Sequence, residues 1–223
     1  MANPFTSAHQ DAYWSPNGPS YESTEPTGVI GPNSVTQLKA ACDQIIGQSA
    51  SIHLFRLAGL DEYLDAPPDE MIPEEHPAKL YRALYRTHSM DTADRVATLA
   101  GELTADYVIE NRIPAFAAKL LCWLPAKLAG IGLLKAIQKN SWTFAGSGVC
   151  TTGTDGTPHV NIFDNPLRMP GAAWHRGVFE QMFRRLVCSH ATVEFSEVGR
   201  TSTFDLHYGL PEIKSECSYA KGG

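Results

Sequence analysis

The sequence predicts an α+β protein in which N-terminal helices pack on a small antiparallel sheet. Three observations carry this. Helical patterns fill the chain from residue 34 to about 140. A β-β-α-β-β order follows, without the βαβ alternation that a parallel sheet requires. Finally, 223 residues, 43% hydrophobic and 19% charged, suit one domain with a real core. Area scaling lets a chain of this size bury roughly 70% of its extended surface, with no need of a structural metal or disulfide.

Taken in order, residues 1–28 are rich in Pro, Ser, Thr, Asn and Gly and read as a flexible tail. A single domain then spans 29–210, and 211–223 form a second tail. Ser34 with Gln37 fits a capping box. Val35, Leu38, Ala41, Cys42 and Ile45 form the apolar stripe of that first helix, which Gly47 stops. A second helix covers Ser51–Leu57. Asp61–Pro77, dense in acids and prolines, suits an exposed connector. Leu80, Tyr81, Leu84 and Tyr85 mark a third helix. A fourth starts at Asp91, whose side chain can cap it, and runs through Val96, Leu99, Leu103 and Tyr107. Pro114 and Pro125 suit first helical turns, so two more helices begin near 113 and 125. Four short β-prone runs follow: Trp142–Val149, Pro158–Phe163, Ala191–Val198 and Ser202–Tyr208. A strong helix over about 174–187 separates the second from the third.

Composition excludes some functions. Acidic residues outnumber basic ones by 24 to 18, for a net charge of −6, so nucleic acid is not an expected partner. The five scattered cysteines (Cys42, Cys122, Cys150, Cys188, Cys217) hold no C-x-x-C pair and read as a reduced, cytosolic set. No basic flank precedes an apolar run at the N-terminus, so no signal peptide is expected. The most apolar segment, Leu120–Leu134, is broken by Pro125 and Lys127 and falls short of the roughly 20 residues that span a bilayer. It can lie against a membrane but not cross one.

The glycine-rich Ala145-Gly146-Ser147-Gly148 lacks the third glycine and the following helix of a dinucleotide fingerprint. No phosphate loop and no G-x-S-x-G elbow is present. Its glycines read as points where a strand bends or another group comes close. The histidines show no metal-site spacing, and no metal site is expected. His175, Phe179, Met182 and Leu186 share one helical face. That leaves two readings for His175: a helix-start histidine bonded to backbone or carboxylate, or an axial nitrogen for a metal carried inside a ligand. Trp123, Trp142 and Trp174, with Phe144, are candidate walls for a flat ligand, and Arg112, Lys119, Lys127 and Arg176 can meet its carboxylates.

Several motifs together resemble the bacteriochlorophyll 4-vinyl reductase family. They are Gly31-Pro32-Asn33, Ala58-Gly59-Leu60, Thr104-Ala105-Asp106-Tyr107, Arg112-Ile113-Pro114, Trp142 to Gly148, Asn165-Pro166 and Trp174-His175. The likeness covers about 29–206, and WTFAGSG is its most specific element. The resemblance implies a ligand-binding fold similar to vesicle-tethering subunits and phenol-sensor domains, often dimeric through helices, with a tryptophan matching Trp142 lining the pocket. The wider group often carries zinc-binding cysteines. This chain has Ala172, Glu197 and Ser202-Thr203 at those places and departs from the zinc pattern.

The family name implies reduction of a vinyl group on a divinyl chlorophyllide precursor. Hydride delivery to an alkene needs NAD(P)H, flavin or an iron–sulfur centre, and no binding motif for one is visible. The reading favoured is a cytoplasmic carrier with no cofactor of its own. It would hold a Mg-tetrapyrrole for the enzymes of bacteriochlorophyll biosynthesis, as a homodimer in peripheral contact with the photosynthetic membrane. Trp142, Phe144, Phe179, Trp123 and Trp174 would form walls, Arg112 would pair with a propionate, and His175 would serve as axial ligand. A vinyl reductase with a borrowed cofactor, and a sensor or scaffold binding a small aromatic or lipid, are the alternatives.

Overall fold

The computed structural model describes residues 28–209. The two expected tails lie outside the described residues, Gly28 excepted. A two-stranded ribbon pairs β1 (Val29–Ile30) with β2 (Ile72–Pro73) in antiparallel register. Between them run α1 (Asn33–Ile45), α2 (Gln48–Leu57) and the short α3 (Glu62–Asp65). Then come α4 (Glu75–Thr87), α5 (Met90–Asn111), α6 (Ala115–Trp123) and α7 (Ala126–Lys139). The sheet strands are β3 (Val149–Gly153), β4 (His159–Phe163), β5 (Thr192–Val198) and β6 (Thr201–His207), with α8 (Ala173–Leu186) between β4 and β5. The sheet order is β3-β4-β6-β5, antiparallel throughout. The predicted α+β class and the β-β-α-β-β order hold.

Local chemistry explains where boundaries differ from expectation. Ser34 does not cap α1. Its Oγ lies inside the first turn and donates to the Gly31 carbonyl at 2.7 Å, because the carbonyls of Gly31 and Pro32 already open the helix. Ser89, not Asp91, caps α5, its Oγ accepting from the Thr92 N–H at 3.3 Å. The acidic connector is not wholly exposed: Ile72 is buried and pairs with Ile30. Trp142–Val149 is not a strand; Ser141–Thr143 form a 3₁₀ turn, and β3 begins only at Val149. Among the cysteines, Cys42, Cys150 and Cys188 are free thiols, but Cys122 is disulfide-bonded, which corrects the all-thiol expectation. The wide spacing of the cysteines carried no pairing signal.

One apolar core joins helices and sheet. The long α5 lies between α1 and α8. It crosses α8 closely, because a methyl at Gly101 would strike the Trp174 carbonyl and one at Gly177 the Thr98 carbonyl. Glycine at both places lets the two backbones meet. The inner face of the sheet presents Val160, Ile162, Phe204, Leu206 and Val193 to α8, which answers with Trp174, Val178, Phe179, Phe183 and Leu186, all buried. Each such side chain contributes about 1.5–3 kcal/mol on burial.

Candidate functional site

The start of α8 is set by the chain before it. Gly171 and Ala172 both adopt left-handed backbone (φ 61 and 45), so the chain turns sharply and sends Trp174 and His175 straight into the core. His175 is 0% exposed. Its Nε2 donates to the Phe144 carbonyl at 3.2 Å, which leaves Nδ1 as the unprotonated nitrogen. Nδ1 is buried without a hydrogen-bond partner. Burial holds the imidazole neutral, pushing its pKa from 6.5 to about 4, and the Phe144 bond offsets this only in part.

Aromatic rings enclose this imidazole. Ring centroids lie 4.8 Å away for Trp174, 5.6 Å for Phe204, 6.3 Å for Phe179 and 6.5 Å for Phe144. Phe179 meets Phe144 and Phe204 edge-on at 5.4 and 5.1 Å. The cluster therefore spans α8, the sheet and the turn that carries Phe144. The Trp174 indole N–H is also buried and unpartnered.

That turn, 141–148, is the outer wall. Thr143 accepts from the Gly31 N–H at 2.9 Å, and the Glu74 carboxylate receives the Ser147 N–H and hydroxyl at 2.6 and 2.7 Å. Gly146 is left-handed (φ 57), and a Cβ there would collide with the same carboxylate. Its glycines thus admit a close group, as expected, but in a turn and not a bent strand.

Four predicted site residues come together: Phe144, Trp174, His175 and Phe179. Three do not join them. Trp142 is 54% exposed on the outside of the turn, Trp123 is 80% exposed on α6, and Arg112 is exposed at the end of α5. Arg176 also points outward, where its charge acts on the Tyr85–Asp94 pair. Sequence reasoning missed Phe204 and Glu74. The alternation Ser202, Phe204, Leu206 marked Phe204 as inward-facing, whereas nothing near Glu74 in sequence announced its distant partner. Among the described residues no group of three or more His, Cys, Asp or Glu is placed to hold a metal ion. An open depression of about 350 Å³ lies elsewhere, between Gly156–Pro158 and Leu206–Gly209.

Helices layered on a four-stranded antiparallel sheet give this chain a fold similar to that of H-NOX domains. One such structure, from work probing heme distortion in the H-NOX family, superposes with a TM-score of 0.56 at 8% identity. The match covers 84% of this chain and 99% of that one. A second, from work on heme redox potential and porphyrin distortion, gives 0.52 at 9% identity, covering 84% and 99%. Vesicle-tethering subunits and phenol sensors are what the sequence had suggested; the likeness found is to H-NOX domains, at the level of fold. No family model matches the chain. The "Bacteriochlorophyll synthase 23 kDa chain" of Rhodobacter capsulatus is 37% identical over 171 residues, covering 74% of this chain and 78% of that protein. Its counterpart in Cereibacter sphaeroides is 37% identical over 170 residues, covering 74% and 81%. The chain belongs to this family, to which WTFAGSG and its companion motifs point.

Proposed function

We propose that this protein is a tetrapyrrole-binding accessory protein of bacteriochlorophyll biosynthesis, which holds a Mg-porphyrin or protochlorophyllide-type intermediate for the pathway's enzymes. The observation that carries the reading is His175: a neutral, wholly buried imidazole with one lone pair left unused inside a ring of aromatic side chains. A buried acceptor without a partner costs about 1–3 kcal/mol, and a group kept at that cost is a site candidate. Family membership and the H-NOX fold support the same reading: the relatives are named for bacteriochlorophyll synthase, and the fold neighbours come from heme and porphyrin work.

In this reading the macrocycle enters by displacing Phe144. The turn 141–148 would swing aside, and the Nδ1 lone pair, already unused, would meet a metal at the macrocycle centre while Nε2 keeps its proton. Phe179, Phe204 and Trp174 remain as apolar walls. Their burial against the ligand is worth about 25 cal/mol per Å² of apolar area. Trp142, on the same turn, closes over the outer edge. Because the imidazole is neutral across the physiological range, no proton has to leave before it binds.

Titration of the full-length protein with Mg-protoporphyrin and free-base protoporphyrin tests this. A Soret shift is expected with both, with an added metal-dependent shift that H175A loses and W142A keeps. Indifference to both porphyrins, or an unchanged response in H175A, overturns the reading. Anaerobic conversion of a divinyl substrate to its monovinyl product at catalytic rates, with NADPH or reduced ferredoxin, would replace the carrier with a reductase.

A further inference from the structure

The α6–α7 hairpin carries its apolar surface on the outside. On α6, Phe116, Lys119, Leu120 and Trp123 fall at i, i+3, i+4 and i+7 and form one face. Phe116, Leu120 and Trp123 are 76%, 55% and 80% exposed, while Ala118 and Cys122 on the opposite face are buried. Beyond Pro125, Leu128 is 53% exposed, and Ala129, Leu133, Leu134 and Ile137 turn inward. Leu121 lies against Gly132, which joins the two helices.

Charge follows the same surface. From Arg112 to Thr154 the chain has basic residues at Arg112, Lys119, Lys127, Lys135 and Lys139 and no acidic residue, although 24 acids outnumber 18 bases overall. All five basic residues are exposed. An aromatic-apolar stripe flanked by cations, within an otherwise acidic protein, is complementary to anionic headgroups above an acyl layer. Tryptophan and phenylalanine settle at that boundary. A second copy docked face to face would set lysines against lysines and is disfavoured.

We propose that the α6–α7 hairpin is a docking surface for an anionic phospholipid bilayer, lying in the interface with Phe116, Leu120, Trp123 and Leu128 toward the acyl chains. No helix among the described residues is long and apolar enough to cross a membrane, so the contact is peripheral. This surface is separate from the His175 cluster and stands or falls independently of ligand binding.

Co-sedimentation of the full-length protein with vesicles tests it. Binding is expected to phosphatidylcholine vesicles containing phosphatidylglycerol, weakening as salt rises. The double variant F116S/W123S and the double variant K119E/K127E should each lose about tenfold or more in affinity. Their unfolding midpoints should match the parent, since the substituted residues are exposed. The proposal is overturned if the parent binds neither vesicle, if it binds pure phosphatidylcholine equally well, or if either double variant binds as the parent does. It is also overturned if sedimentation velocity reveals a self-associated form that F116S/W123S disperses, which would make the face a protein interface.

Discussion

Two helix pairs in this fold place their small and large residues in opposite ways. Where α5 crosses α8, glycines sit at the contact, the backbones meet, and Trp174 and Phe179 are drawn inward around His175. Where α6 turns into α7, the small residues Ala118, Ala129 and Gly130 face inward, while phenylalanine, leucine and tryptophan face solvent. The first pair is built to hold a core together. The second gains nothing for the core of the described residues from its largest side chains. Composition alone would have ranked the two alike, since both are rich in apolar residues.

The sharpest way to break this contrast is at the crossing. G177V should destabilise the fold by roughly 3 kcal/mol or more, because its side chain must displace the α5 backbone at Thr98. Urea unfolding measures this, and a cost below about 1 kcal/mol would mean that the helices can part cheaply. Next in size is a pH effect on the same core. His175 is neutral in the fold down to about pH 4 but takes a proton near pH 6.5 when unfolded. Between those values the unfolded chain binds more protons, so stability falls as pH drops from 6.5 toward 4 and is unaffected above 6.5. The full loss is about 3 kcal/mol. H175F should flatten that slope in unfolding curves taken across the range.

Smaller effects belong to the wall and the hairpin. E74Q weakens the two bonds to Ser147 and should cost about 1 kcal/mol or less, read as faster amide exchange in 141–148 with little change in α8. F116S/W123S should leave stability within about 0.5 kcal/mol of the parent. A large loss there would mean that the hairpin face packs against this chain after all.

How much of this was legible in the sequence depended on distance along the chain. Helix α8 and strands β4, β5 and β6 were readable because each carries its own period, as in Val160 and Ile162 or Ser202, Phe204 and Leu206. The stretch from Trp142 to Gly148 was misread because tryptophan, threonine and phenylalanine favour strands locally, while the group that bends it, Glu74, lies more than 70 residues upstream. The β1–β2 ribbon has two residues per strand, too few to leave a pattern. In the site, His175 and Phe179 followed from helical spacing. Trp123 and Arg112 were grouped with them by residue type, which says nothing about which side of a helix meets the core.

One backbone detail bears on how firmly the imidazole is aimed. Ala172 sits in a conformation that suits glycine, at φ 45 and ψ 41, immediately before the helix that carries His175. Replacing it with glycine should relieve about 1 kcal/mol of strain. It would also restore the rotational freedom that a methyl group removes, and so trade aim for comfort. If alanine is kept here for the sake of aim, A172G should melt at a higher temperature and yet show a broader, less uniform environment around the ring.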